Sequence, residues 1–147
     1  MAAFLRLTLL LAVAAPTVAC SSAIRVNPIA PPAAMQVSAV VVQLAPEVKG
    51  KKENILRKVR AQEAVGLALR DSTMPGGDNQ LVVTITNFRT GRWGPTVFGA
   101  TAELVAPNNQ VLGTYRAIAR SSRGSRRARI QRCAQKVVLT LVQQMPR

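Results

Sequence analysis

The sequence predicts a two-layer α+β sandwich: a four-stranded, mainly antiparallel sheet with two helices on one face, in the order β-α-β-β-β-α. Three observations point there. Gln80–Phe88 (QLVVTITNF) is β-branched and alternates in polarity, the pattern of a half-buried strand. Two more strand-like runs, Thr96–Val105 and Val111–Arg120, follow at hairpin spacing. The C-terminal segment then changes to helical spacing, with Ile130, Cys133, Ala134, Val137, Leu141 and Met145 on one stripe.

Each element has its own signal. Met35–Leu44 (MQVSAVVVQL) is Val-rich and lies between prolines, so it reads as the first strand. Its apolar second half suits a strand covered on both faces or inside a sheet. A polar, basic loop, 46–54, leads into a helix expected over Asn54–Asp71, with Ile55, Val59, Gly66 and Leu69 on one side and Leu56 and Leu67 on its flank. Gln62 and Glu63 interrupt that stripe. Pro75-Gly76-Gly77 reads as a turn before the second strand. Pro107-Asn108-Asn109 closes the last hairpin: proline presets φ and asparagine tolerates the left-handed region. Ser121–Ser125 ends the sheet, Arg126–Met145 forms the second helix, and Pro146 stops it. Short connections make the last three strands an antiparallel meander, and stacking both helices on one face buries both stripes.

The first twenty residues, MAAFLRLTLLLAVAAPTVAC, set the address. One cation (Arg6), an apolar run and a small-residue ending have the layout of a secretory signal, whose apolar region runs roughly 7–15 residues. Spanning a bilayer takes about 20. The organisation expected is therefore a signal over 1–19, a Pro-rich plain tether over 20–34 and one domain over 35–147, with Cys20 lipidated as its resemblance to the cysteine of a bacterial lipobox implies. Ordinary cleavage near Ala19, leaving a soluble exported protein, is the alternative.

Composition narrows the chemistry. Twenty Lys and Arg face six acids, a formal +14, which favours anionic partners: acidic lipid, an acidic protein surface or nucleic acid. Export makes nucleic acid the least accessible of these. The sequence contains no histidine, which removes imidazole base chemistry and the commonest metal ligand. The six acids form no metal-loop or paired-acid motif, and Gly91–Gly94 does not match a phosphate-cradling loop. No catalytic residue, metal site or cofactor is expected. Cys133, on the apolar stripe, reads as a packing residue, and a lipid-bearing Cys20 could not pair with it.

The cations cluster. Nine lie between Arg116 and Arg147 with no acid among them. Arg126, Arg127 and Arg129 occupy the first turn of the expected helix, where the helix dipole disfavours a cation by about 0.3–1 kcal/mol. Arg129, Arg132 and Lys136 are placed on the face opposite the apolar stripe. Lys51, Lys52 and Arg57, with Lys49, Lys58 and Arg60, surround the start of the first helix, and the two clusters are expected at one end of the molecule. Together they are candidate anion ligands; the plain reading is a solvated face that keeps the protein soluble. The loop RTGRWGP (Arg89–Pro95) holds the only tryptophan, Trp93, beside Arg92. Such a residue commonly folds back over a sheet edge; otherwise it anchors at a membrane interface or meets a partner.

Thr17-Val18-Ala19-Cys20 resembles a bacterial lipobox, with threonine where that pattern usually has leucine. With LVVTITNFRTG (81–91) and ELVAPNNQVLGTY (103–115), the layout resembles small bacterial outer-membrane lipoproteins with one β-α-β-β-β-α domain, among them the lipopolysaccharide-assembly lipoprotein. In such proteins serine after the cysteine, as Ser21 here, implies the outer membrane. The resemblance implies a periplasm-facing accessory to envelope assembly or transport, which binds an anionic lipid, lipopolysaccharide or an acidic protein. The rival is a protein-interaction subunit of a secretion or transport machine, using a sheet edge or the Trp93 loop. A cytosolic nucleic-acid binder would retain its full-length mass.

Overall fold

The computed structural model describes residues 23–27 and 33–147; Cys20, the signal and the rest of the tether lie outside them. The chain forms β1 (Gln36–Leu44), a 3-10 turn at Pro46–Val48, α1 (Lys51–Lys58), α2 (Ala61–Asp71), β2 (Met74–Arg89), β3 (Thr96–Val105), β4 (Val111–Ser121) and α3 (Arg126–Gln144). The sheet runs β1-β2-β3-β4, with β1 parallel to β2 and the other pairs antiparallel. This is the expected α+β sandwich, with a mixed sheet. The helical crossover after β1 makes that pair parallel, and the short loops make the meander. In the last hairpin Asn109 takes the left-handed φ of 64° that its turn requires.

Three local expectations need correction. The first helix is two. Arg60 sits at φ 53°, ψ 40°, ending α1 and starting α2. In one continuous helix Arg60, Glu63 and Leu67 would share the face of Leu56. The break changes the phase, so that Leu56 and the α2 residues Ala61, Val65, Ala68 and Leu69 all turn inward. Arg60 and Glu63 then pair on the surface, and Leu67 is left exposed. Next, β1 is an edge strand rather than an interior one. Its Val41 faces solvent, while the Gln62 side chain reaches its outer edge at the Val42 carbonyl (3.4 Å). Finally, Pro75-Gly76-Gly77 does not precede β2 but lies within it. The pairing jumps from Val37 with Pro75 to Ala39 with Gln80, so the extra residues form an irregularity in the ladder.

The core lies between the sheet and the helices. Phe88 and Phe98 are cross-strand partners on β2 and β3, fully buried, with rings edge to face at 6.0 Å. The whole expected stripe of α3 is buried against this layer. Such aromatic pairs contribute roughly 0.5–1.5 kcal/mol beyond their buried area. α3 also blocks the outer edge of β4: the Gln144 amide accepts from the Arg116 N–H (3.2 Å) and donates to the Arg116 carbonyl (3.0 Å).

The described part of the 20–34 segment is not a plain tether. Ile24 and Val26 are buried, the Ile24 N–H donates to the Val59 carbonyl (2.9 Å), and the Gln135 amide clasps the backbone of Asn27. Ala33 is buried as well, with its N–H on the Ser72 carbonyl. Ile24 and Val26, on either side of the exposed Arg25, let this short stretch dock across the gap between α1–α2 and α3. None of the described helices is long and apolar enough to cross a membrane.

Candidate functional site

The cations gather around the start of α3. Gly124, at φ +86°, turns the chain out of the sheet, and the Ser125 hydroxyl caps the helix by accepting from the Ala128 N–H (3.2 Å). Arg126 and Arg127 follow, both exposed. A groove of 330 Å³ opens beside them, lined by Ile55, Lys58, Val59, Ser125, Arg126, Arg127 and Ile130. Its floor is aliphatic, its rim carries three cations, and its lining has no carboxylate. The Arg127 guanidinium also donates to the Ala23 carbonyl (2.6 Å).

Arg129 is the main correction to the sequence reading. Placed there on the polar face as an anion ligand, it is only 5% exposed. Its guanidinium donates to the carbonyls of Gly91 and Gly124, both at 2.7 Å, and more weakly to the Arg92 carbonyl and the Thr96 hydroxyl, both at 3.4 Å. The reason is helical arithmetic. Arg129 stands one turn before Cys133 and so leans toward the buried stripe. Its charge is satisfied by backbone oxygen, and it works as a staple joining the β2–β3 loop to the turn before α3.

The other candidates divide. Arg132 and Lys136 are exposed one and two turns further along α3, bordering a second groove of 300 Å³, with the Arg132 guanidinium on the Arg123 carbonyl (2.9 Å). Lys51, Lys52 and Arg57 do not join the α3 groove: Lys52 donates to the Glu47 carbonyl (3.1 Å) and Arg57 to Asn54 (2.8 Å), while Lys51 is exposed on the first turn of α1. Of that cluster only Lys58, at the last turn of α1, lines the α3 groove. Trp93 covers no sheet edge. It is 89% exposed, with the Arg92 guanidinium 5.5 Å from its ring centroid.

Cys133 packs as expected, fully buried, its thiol 3.4 Å from the Thr96 carbonyl. Burial pushes the thiol above its usual range, and the nearby Lys136 charge only partly offsets this. Among the described residues, no three His, Cys, Asp or Glu side chains come together as a metal site would need. Sequence reasoning missed the docking of Ile24 and Val26, whose alternation was the available signal. It also missed the two clasping amides, Gln135 and Gln144, for which composition carries none.

No protein-family model matches the sequence, and no curated protein matches it. Solved structures do resemble it in the course of the chain. A Xanthomonas campestris protein from a domain family of unknown function is 14% identical, with 81% of this chain and 88% of that one covered and a TM-score of 0.48. A single-residue variant of the PelC dodecamer from Paraburkholderia phytofirmans is 19% identical over 76% of this chain and 92% of its own, at a TM-score of 0.47. A second crystal form of that dodecamer gives 18%, 80%, 95% and 0.44.

Proposed function

We propose that this is an envelope lipoprotein, anchored through Cys20 at the periplasmic face of the outer membrane, that binds an anionic component and catalyses nothing. The signal-like N-terminus and the lipobox-like TVAC support the address. The absence of histidine supports a binding role over acid–base catalysis. One observation carries the choice of ligand: Lys58 on α1 and Arg126 and Arg127 on α3, remote in sequence, border one groove with no carboxylate in its lining. Arginine forks and free helix N–H groups both suit phosphate or carboxylate oxygen. The ligand class is an anionic phospholipid, lipopolysaccharide or an acidic protein surface.

Two measurements test this. The mass of the mature N-terminus reports cleavage and acylation together, and a protein that retains Met1 ends the envelope reading. Co-sedimentation with phosphatidylglycerol vesicles, using a Cys20→Ser form so that lipid does not hold the chain, tests the ligand. Arg126→Gln with Lys58→Gln is expected to weaken binding by roughly ten-fold or more, from about 1 kcal/mol per cation near an anionic surface. Unchanged binding would remove the groove from the account.

A further inference from the structure

Three features that the fold places at one end of the domain bear on how it sits on its membrane. The described chain begins there, at Ala23, three residues after Cys20. Ala23 is held by Arg127 and Ile24 by Val59, both beside the α3 groove. Three residues of extended chain reach at most roughly 10 Å, against a domain width of roughly 35 Å. The lone tryptophan is there too. Arg129 ties the carbonyls of Gly91 and Arg92 to that of Gly124, which fixes the Trp93 loop against the turn before α3. Arg127 and Arg129 diverge by roughly 200° around the helix axis, so Ala23 and the Trp93 loop flank opposite sides of the α3 N-terminus. Between and beside them stand the exposed cations Arg92, Arg123 and Arg126.

Resting on the lipid-anchored reading, we propose that this end is a membrane footprint: the domain sits on anionic phospholipid with Trp93 at headgroup level and Arg92, Arg123 and Arg126 on the phosphates. A tryptophan left almost wholly in water is poorly placed for packing, but its amphipathic ring suits the interface, where tryptophan is enriched in membrane proteins. Arginines around it would add attraction that fades with salt. The docked stretch 23–27 supplies the constraint. A lipid at Cys20 acting through so short a lead would keep this end, rather than the far end of the sheet, against the bilayer.

Trp93 is also the probe, since no other tryptophan contributes to the emission. The lipidated mature protein is reconstituted on phosphatidylethanolamine vesicles with and without phosphatidylglycerol, and Trp93 emission is followed with aqueous and brominated-lipid quenchers. The footprint predicts a blue shift and bromolipid quenching on the anionic vesicles, both reversed by high salt while the protein stays bound through its lipid. Arg92→Gln, Arg123→Gln and Arg126→Gln together should weaken vesicle binding of the Cys20→Ser form by roughly 100-fold, at about five-fold per cation. Trp93→Ser should fold normally and weaken it further. Anchored protein whose Trp93 emission matches that in buffer overturns the footprint but leaves the anchor standing. A mature chain without lipid overturns the anchor, and the footprint falls with it if anionic vesicles leave the emission of that soluble chain unchanged.

Discussion

Replacing Arg129 by methionine should cost the domain about 2–4 kcal/mol. The two 2.7 Å bonds, to the carbonyls of Gly91 and Gly124, are charge-assisted, and such bonds contribute roughly 1.5–3 kcal/mol each. The gross loss is therefore about 3–6 kcal/mol. Against this, a buried cation without a carboxylate partner carries a desolvation cost of several kcal/mol, part of which methionine recovers. The balance stays unfavourable because methionine offers no donor, and two carbonyls are left to find water in a packed turn. For a domain of this size 1 kcal/mol shifts Tm by about 4 °C, so roughly 8–16 °C should be lost. Arg129→Lys should fall between, since a point-charge ammonium cannot fork to carbonyls on two loops. Urea melts followed by circular dichroism give the stability, and Trp93 anisotropy gives a local reading, because the released loop should tumble faster. If methionine stays within about 0.5 kcal/mol of the parent with unchanged anisotropy, the bonds only balance their own desolvation and the staple does not exist.

Other positions carry equally definite expectations. Gln144→Ala should lose about 1 kcal/mol and leave the outer edge of β4 open, so sedimentation velocity should show more self-association than the parent; an unchanged profile contradicts the blocking role. Arg60→Gly should stabilise by about 0.5 kcal/mol, because relief of the left-handed backbone outweighs both the exposed pair with Glu63 and the added freedom of the unfolded chain; a loss above about 1 kcal/mol would show that this backbone is unstrained. The Cys133 thiol, pushed up by burial, favours the folded state below the ordinary thiol range of about 8.5 and loses that contribution as pH rises through its higher folded value. Unfolding free energy should therefore fall above about pH 9 in the parent and stay flatter in Cys133→Ala, and iodoacetamide should label Cys133 quickly only in urea.

What the sequence made legible follows from how local each signal is. The α3 stripe and the β3–β4 hairpin rest on repeats within a few residues, and both appear within a residue or two of where periodicity put them, whereas β2 starts six residues before its expected Gln80. The break at Arg60 was harder to see, since neither proline nor glycine marks it; only the misplaced phase of Gln62 and Glu63 hinted that one helix could not bury both Leu56 and Leu69. The edge position of β1 was not readable, because Val40-Val41-Val42 looks the same at an edge as in the middle. In the site, periodicity put Arg132 and Lys136 correctly on the exposed face but misplaced Arg129, whose guanidinium reaches carbonyls of the β2–β3 loop and of the turn before α3. The solvent-facing Trp93 depends on that same staple.

The basic end also shows how hydrogen-bond satisfaction differs from charge neutralisation. Three arginines in the first turn of a helix oppose its dipole, and carboxylates would be the obvious relief. The chain from Arg116 onward has none. Arg127 instead donates to the Ala23 carbonyl, Arg129 to those of Gly91 and Gly124, and Arg132 to that of Arg123. These bonds fasten three stretches of chain to α3, the segment at Ala23, the β2–β3 loop and the turn at Arg123-Gly124, so the end gains order from its own cations. A carbonyl brings a dipole but no net charge, and the positive field beyond the surface survives. Salt bridges would have supplied the order and cancelled the field. Order and net positive charge thus coexist at this end, because its arginines are spent on backbone oxygen.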